Sequence, residues 1–300
     1  MSPSSPPELF NRARIAHNRD RASQSFEDYA FLKTRESTQL LERLKDSPRK
    51  FSRGLDLWAH SGQTSDVLRA SGLVDCVTAL EPSPMMRKRL SEKGFGTCGF
   101  DEERLAFDDQ VFDLVVSVLG LHWVNDLPGL LHQIRRVLKP DGLFLAALFG
   151  GETLHELRQC LIEAESEFTG GVSPRLSPLP KLQDMAGLLQ RAGFALPVAD
   201  IDRVTVRYGH PMKLLHDLKG MGEQAAFAGQ GRRPLSRRIL ARMSDLYLKR
   251  FSDPDGKVRA SFDVIWVSGW APAANQPKPL KPGSGKFSLE AAVKQARQDE

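Results

Sequence analysis

Strand-like and helical segments alternate at short spacing between residues 51 and 149, and this alternation limits the possible folds more than any other feature of the chain. The predicted strands are 54–58, 74–80, 95–100, 111–118 and 143–149. The predicted helices between them are 64–70, 83–93 and 127–138. Such an alternation predicts an α/β fold in which right-handed crossovers wind a mostly parallel, doubly wound sheet.

The flanking segments differ in character from this region. Residues 1–24 look irregular, whereas residues 26–46 carry helical apolar spacing, so we assign residues 1–50 to an N-terminal helical cap. The α/β domain then spans 51–270, with further strands predicted at 199–208 and 261–267. Residues 271–300 contain four Pro, two Gly and five Lys or Arg, which predicts a disordered tail.

Composition excludes several classes of protein. Hydrophobic residues make up 41% of the chain and charged residues 26%, which is ordinary for a globular protein. No apolar run approaches the roughly 20 residues that a membrane span needs, so we predict no transmembrane segment. The start of the chain does not resemble a secretory signal. Three cysteines without a CxxC pattern favour a reducing compartment, and we predict a cytoplasmic protein without a structural metal site.

Acidic side chains follow the strands where a doubly wound sheet binds its ligands, at the carboxyl ends near the reversal of strand order. Glu81 and Pro82 follow the second strand, and a carboxylate there can accept hydrogen bonds from both hydroxyls of a ribose. Asp101 and Glu102 precede the strand 111–118 and are candidates for the edge of an adenine. The sequence therefore predicts a nucleoside site at this end of the sheet.

A strand, a loop and Glu81, followed by the segment 111–149, form a pattern that resembles a known superfamily. The segment 111–149 contains "VLKPDGLF", and the chain resembles the class I S-adenosylmethionine-dependent methyltransferases. It is most similar to the methyltransferase-like assembly factors of respiratory complex I, called arginine hydroxylases in mitochondria, and their bacterial relatives. The malonyl-carrier-protein methyltransferases of biotin synthesis are the next most similar. The segments that carry the closer resemblance are "LHWVNDLP", "FGGETLHELR", "SPRLSP", "LLQRAGF", "LKGMGE" and "SDPDGKVRASFDVIWVSGW".

This resemblance implies a seven-stranded sheet with S-adenosylmethionine bound over its first four strands. It also implies a substrate cap built from the N-terminal helices and from inserts at about 168–185 and 211–251. Glu81 then holds the ribose, and Asp101 or Glu102 the adenine. Leu119, at the mouth of the central strand, is a further cofactor contact.

The loop after the first strand departs from the superfamily pattern of acid-x-Gly-x-Gly-x-Gly. Here it contains Asp56, Trp58, His60 and Gly62, so two of the three glycines are replaced. Glycine allows close approach to a ligand and positive φ, and both replacements restrict the backbone. Three outcomes stay open: the indole swings below the sheet and the cofactor binds, the cofactor binds weakly or in a shifted position, or the site is lost.

His122 is the candidate general base, because it follows the strongest predicted strand. Alternatively, His122 has no catalytic role and is a loop histidine that packs beside Trp123. The seven histidines form no H-x-D/E element, so arginine hydroxylation depends on the resemblance alone. We therefore predict a methyltransferase-family protein with a protein client, and the resemblance implies that this client is a subunit of complex I. The alternatives are arginine hydroxylase and non-catalytic assembly chaperone.

Residues 232–259 hold nine Lys or Arg and three Asp, and the predicted helix 235–251 carries much of this positive charge. It is a docking surface for an acidic partner or an ordinary solvated helix face. No basic–aromatic pattern typical of nucleic-acid binding accompanies it, so we predict no nucleic-acid partner.

Overall fold

One mixed sheet with helices on both faces forms the computed structural model, which describes residues 8–47, 49–101, 104–229 and 234–277. The strands are β1 (Phe51–Leu57), β2 (Val74–Leu80), β3 (Gly96–Cys98), β4 (Phe112–Val118), β5 (Leu138–Phe149), β6 (Ala195–Tyr208) and β7 (Val258–Trp270). The helices are α1 (Arg12–Ala22), α2 (Phe26–Tyr29), α3 (Phe31–Lys45), α4 (Gln63–Ser71), α5 (Pro84–Glu92), α6 (Leu127–Val137), α7 (His155–Thr169), α8 (Leu182–Arg191), α9 (Pro211–Gly220) and α10 (Arg237–Phe251).

The strand order is β3-β2-β1-β4-β5-β7-β6. Strands β1 to β5 pair in parallel, while β7 lies antiparallel between β5 and β6. This confirms the seven-stranded, mostly parallel sheet and the doubly wound class. The order reverses between β1 and β4, so the two strands that flank the expected ligand crevice are neighbours.

Both faces of the central strands are buried, and successive residues of these strands point to opposite cores. In β4, Leu114 and Val116 belong to one core and Val115 to the other. Helices α3, α4, α7 and α10 contribute to the first core, and α6 and α8 to the second. The continuous apolar run that predicted β4 therefore reflects burial on two sides.

The N-terminal segment corrects our expectation that residues 1–24 are irregular. Among the described residues of that segment, Arg12–Ala22 forms helix α1, which begins after the cap residue Asn11. Its buried residues are Ile15, Asn18, Arg19 and Ala22. Their spacing is helical, but two of the four are polar, so a search for apolar periodicity did not detect the helix.

Smaller differences concern the ends of elements. Helix α4 begins after Gly62, which has a φ of 98° and no side-chain cap, so the cap predicted near Ser61 is wrong. The predicted cap of α5 is confirmed, because the Ser83 hydroxyl accepts a hydrogen bond from the backbone N–H of Met86. Ala271 is buried and exchanges backbone hydrogen bonds with Asp141 and Gly142 of β5, although we expected a disordered tail there. Residues 278–300 lie outside the described residues.

No helix within the described ranges combines the length and the apolarity that crossing a membrane requires.

Candidate cofactor and acceptor site

The loop after β1 follows an unusual backbone path at three alternate positions. Trp58 has a φ of 62°, His60 of 53° and Gly62 of 98°. These are left-handed conformations, which cost a residue with a Cβ roughly 1–2 kcal/mol. Trp58 and His60 thus adopt the conformation that glycine favours, and the surrounding structure holds them there.

The Trp58 side chain fills the space between the ends of β1 and β4. It is fully buried, and a Cβ added to Gly120 would lie 2.2 Å from the Cβ of Trp58. Phe100 meets the indole edge to face with a centroid separation of 5.6 Å. The guanidinium carbon of Arg19 lies 4.5 Å from the centre of the Trp58 ring. The indole therefore lies among the carboxyl ends of the strands, where the sequence predicts the nucleoside site.

His60 is also buried, and its ring stacks on Phe26 with the centroids 5.2 Å apart. Its Nδ1–H donates to the carbonyl oxygen of Trp58 at 2.8 Å, since a carbonyl can only accept. Burial, together with the nearby charges of Arg19 and Lys33, holds the pKa of His60 well below its ordinary value. The imidazole is accordingly neutral at physiological pH.

Glu81 lies at the end of β2, as predicted, and its carboxylate is completely buried. Arg19 Nη1 donates to Glu81 Oε2 at 3.0 Å. The backbone N–H groups of His60 and Ser83 donate to the two carboxylate oxygens, each at 3.0 Å. Pro82 follows and contributes its carbonyl oxygen as an acceptor for Arg87. Glu81, which we predicted to bind the ribose hydroxyls, therefore already accepts hydrogen bonds from this chain's own groups.

A second buried pair lies behind the loop. Asp56 accepts a hydrogen bond from the Ser65 hydroxyl at 2.7 Å, and burial raises the pKa of Asp56 to about 6. Lys33, on α3, donates to the carbonyl oxygens of Trp58 at 2.9 Å and Val118 at 2.6 Å. Burial lowers the pKa of Lys33 to about 8. Lys33 therefore links the ends of β1 and β4, a role that its place in a helical pattern did not indicate.

The remaining predicted cofactor residues lie at the edges of this region. The Asp101 side chain is 56% exposed and pairs with Arg12 of α1 at 3.2 Å. Glu102 lies outside the described residues. Leu119 is buried, has a φ of 51° and donates its N–H to Ala147 across the sheet.

His122 and Glu223 form a second polar centre beyond the end of β4. Glu223 Oε2 lies 3.0 Å from His122 Nε2 and accepts the indole N–H of Trp123 at 2.9 Å. His122 is buried and its Nδ1 has no hydrogen-bond partner. The sequence analysis proposed His122 but missed Glu223, although Glu223 ends the motif "LKGMGE" on which the resemblance partly depends.

A cavity of about 390 Å³ opens beside this second centre. Its wall includes eight leucines, together with Phe149 and Phe262. His122 and Glu223 line it, and Arg158 adds a positive charge. On the side of His60 and Leu119 there remains a hollow of only about 20 Å³. The larger cavity has the size and apolar wall of a binding pocket, whereas the smaller hollow holds little more than a water molecule.

The structure thus brings together Asp56, Trp58, His60, Gly62 and Glu81 around one point. It places His122 at a neighbouring cavity. Sequence reasoning missed three charged residues that complete the arrangement, which are Arg19, Lys33 and Glu223. Among the residues that the structure describes, no group of three His, Cys, Asp or Glu side chains could hold a common metal ion.

The fold is that of a methyltransferase domain, and the chain belongs to that family: residues 21–197 match the family described as Methyltransferase domain. Arginine-hydroxylase NDUFAF5, mitochondrial, of Danio rerio is 35% identical over 284 residues, covering 94% of this chain and 88% of that protein. The human protein of the same name is 37% identical over 263 residues, covering 87% of this chain and 76% of the relative.

Other relatives confirm the second part of the resemblance. Malonyl-[acyl-carrier protein] O-methyltransferase of Halorhodospira halophila is 32% identical over 268 residues, covering 87% of this chain and 88% of that enzyme. Among solved structures, the YcgJ protein of Bacillus subtilis superposes with a TM-score of 0.55 at 15% identity, covering 78% of this chain and 98% of that one. This last similarity concerns the fold alone.

Proposed function

We propose that this chain is an S-adenosylmethionine-dependent member of the methyltransferase family that modifies a protein client, a complex I subunit by its resemblance to the assembly factors. The observation that carries the proposal is the buried carboxylate of Glu81 at the end of β2. Its hydrogen-bond partner His60 lines a small hollow that shares Phe149 and Glu223 with the 390 Å³ pocket. A nucleoside site and an acceptor site next to each other are what group transfer between two bound molecules requires.

The polar groups of this site are of the types that could hydrogen-bond that cofactor. Several buried polar atoms in this region have no hydrogen-bond partner, namely Arg19 Nε and Nη2, Asp56 Oδ1 and Trp58 Nε1. Buried polar atoms without partners are rare and point to a missing ligand or a change of conformation. We assign Glu81 to the ribose, the loop Asp56–Gly62 with Leu119 to the amino-acid part, and Asp101 or Glu102 to the adenine.

In the arrangement described, however, Arg19 and Trp58 fill the space beside Glu81. Binding therefore requires these side chains to move. When bound, S-adenosylmethionine supplies an electrophilic methyl group on its sulfonium. This chain's own residues then position the acceptor and exclude water, which is the chief work of a protein in such a displacement.

His122 is the residue we assign to proton transfer. Its Nδ1 is free of hydrogen bonds and its Nε2 is held by Glu223, so the ring has a fixed orientation at the cavity wall. A ring nitrogen without a partner in that position can accept a proton from an amine or hydroxyl acceptor. A carboxylate acceptor would need no base, and His122 would then only orient it.

A second candidate function is favoured by the filled site. The chain's own groups donate hydrogen bonds to both Glu81 oxygens, so no cofactor is needed to satisfy this buried carboxylate, which fits a non-catalytic assembly chaperone. Arginine hydroxylation is named for the relatives of this chain, and the same 390 Å³ cavity would receive the side chain concerned.

We propose helix α10 as the surface that contacts an acidic client. Its positive charge is partly used within the chain, because Arg242 pairs with Glu167 of α7 at 2.7 Å and Arg250 pairs with Glu163 at 2.6 Å. Arg237 remains exposed at its N-terminus. We further propose a cytoplasmic location, which the free exposed thiols Cys76 and Cys98 support.

Calorimetric titration with S-adenosylmethionine tests the cofactor assignment. The wild-type protein should bind, and the Glu81→Gln variant should bind at least about tenfold more weakly, because the ribose loses a charged acceptor. Arg87→Gln, which alters a neighbouring contact to backbone only, is the matched control. If neither the wild-type protein nor Arg19→Met, which removes the guanidinium bonded to Glu81, binds at millimolar cofactor, the chaperone function remains.

Mass spectrometry of complex I subunits distinguishes the three functions. Subunits are compared between cells that contain this chain and cells that lack it. Methyl transfer adds the mass of one CH₂ to a subunit, hydroxylation adds the mass of one oxygen atom, and a chaperone changes the yield of the complex without changing any subunit mass. The methyltransferase proposal is refuted by either of the last two results.

A further inference from the structure

Helix α1 lies across the predicted nucleoside site and inserts a single side chain into it. Arg19 is completely buried, between the indole of Trp58 and the backbone of Gly222. A Cβ at Gly222 would lie 3.3 Å from Arg19 Cγ, and the φ of Gly222 is +76°. The position of the arginine is therefore supported from both sides.

We propose that Arg19 holds the cofactor site closed by competing for Glu81, and that α1 must move before the cofactor binds. This inference rests on the proposed function, because it concerns the same site. Arg19 Nη1 lies within 3.3 Å of both Glu81 carboxylate oxygens, 3.3 Å from Oε1 and 3.0 Å from Oε2. Those oxygens are the acceptors that we assign to the ribose hydroxyls. The N–H groups of His60 and Ser83 already occupy two of the roughly four acceptor sites of the carboxylate, so Arg19 and two ribose hydroxyls would compete for the rest.

The hydrogen bonds of the Arg19 guanidinium are incomplete, so its ion pair with Glu81 is weaker than a fully bonded pair. Its Nε and Nη2 are buried without a partner, so the guanidinium uses only one of its three nitrogens. A buried ion pair compensates its desolvation only when its remaining donors are satisfied. Glu81, by contrast, keeps the N–H groups of His60 and Ser83 when Arg19 leaves. Departure of the arginine therefore leaves the carboxylate hydrogen-bonded.

Helix α1 is also bonded to the elements that border both pockets. Asp20 accepts hydrogen bonds from the Ser83 hydroxyl at 2.5 Å and the Met85 N–H at 3.0 Å. Asn18 Nδ2 donates to the carbonyl oxygen of Gln224 at 3.0 Å, and Gln224 lines the acceptor cavity. Loosening α1 at Asn18 therefore weakens the closed arrangement without altering Arg19 or Glu81.

The test is calorimetric titration of S-adenosylmethionine into the full chain and its variants. Arg19→Met should bind at least about tenfold more tightly than the wild-type protein, since a site closed most of the time has its apparent affinity reduced by the open fraction. Asn18→Ala should bind severalfold more tightly. Arg21→Met, an exposed arginine of the same helix, is the matched control and should leave the affinity unchanged.

Hydrogen exchange gives a readout that does not depend on the cofactor. The amides of Arg12–Ala22 should exchange faster in Arg19→Met and Asn18→Ala than in the wild-type protein. If the wild-type protein binds the cofactor and Arg19→Met binds it equally or more weakly, the competition is overturned while the proposed function survives. If neither the wild-type protein nor Arg19→Met binds at millimolar cofactor, the proposed function and the competition both fail. If Arg19→Met does not fold, Asn18→Ala decides by the same criteria.

Discussion

The positive φ of Trp58 predicts that a glycine variant at this position is more stable than an alanine variant, the reverse of the usual order. Truncating a fully buried tryptophan costs roughly 3–5 kcal/mol of unfolding free energy, whichever small residue replaces it. The φ of 62° adds a strain of about 1–2 kcal/mol for any residue with a Cβ. Glycine escapes this strain but loses about 0.5–1 kcal/mol through its greater freedom in the unfolded chain.

Trp58→Gly should therefore be more stable than Trp58→Ala by roughly 0.5–1 kcal/mol. His60, with a φ of 53°, should show the same order for its glycine and alanine variants. The measurement is urea-induced unfolding followed by circular dichroism, with the midpoint and slope fitted for each variant.

Ala79 is the matched control, because it is fully buried in the regular strand β2. There the change to glycine should destabilise by about 0.5–1 kcal/mol, which is the normal order. If Trp58→Ala proves at least as stable as Trp58→Gly, the left-handed path of the loop is wrong. The argument that this loop keeps a glycine-like backbone would then fail with it.

Three further results are expected. The pKa of Lys33 falls from 10.5 to about 8 on folding, so the unfolded state binds more protons between these pH values and the unfolding free energy should rise with pH there. In urea unfolding at several pH values, Lys33→Met should lower the slope of unfolding free energy against pH by up to about 1.4 kcal/mol per pH unit. An equal slope in the wild-type protein and the variant contradicts the burial of Lys33. The two exposed cysteines should react with a thiol reagent in the native protein, and Cys160, whose pKa burial raises to about 11, only after unfolding. Arg242→Glu should shift the thermal unfolding midpoint only slightly, because both side chains of the Arg242–Glu167 pair are exposed, and adding Glu167→Arg should reverse the shift. A large shift would show that the packing of α10 on α7 depends on this pair.

The alternating part of the fold was predictable because its signals are local. The strand β2 was predicted at Val74–Leu80, as observed, since β-branched residues and flanking turns define it. Helix α1 was not, because its buried face contains Asn18 and Arg19, whose burial depends on partners distant in sequence. Apolar periodicity detects only those faces that are buried by the hydrophobic effect.

The candidate site was predicted in part for a similar reason. Glu81 follows a strand, and strand ends meet at one edge of a parallel sheet, so its position could be inferred. Lys33 and Glu223 lie on helical or loop segments whose distance to that edge is set by tertiary packing. The loop itself shows that a motif can lose its glycines and keep their conformation, which residue identity at Trp58 and His60 did not reveal.

The contact between Trp58 and Gly120 means that two distant positions share one volume. A methyl group at Gly120 has no room while the indole is present, since the separation would be 2.2 Å, so Gly120→Ala alone should be poorly tolerated. With glycine at both positions the chain would have an open crevice, and with alanine at 120 and glycine at 58 it would have a partly refilled one. The size of this crevice is thus adjustable through a pair of substitutions, and any redesign of the protein as a nucleotide binder has to change the two together.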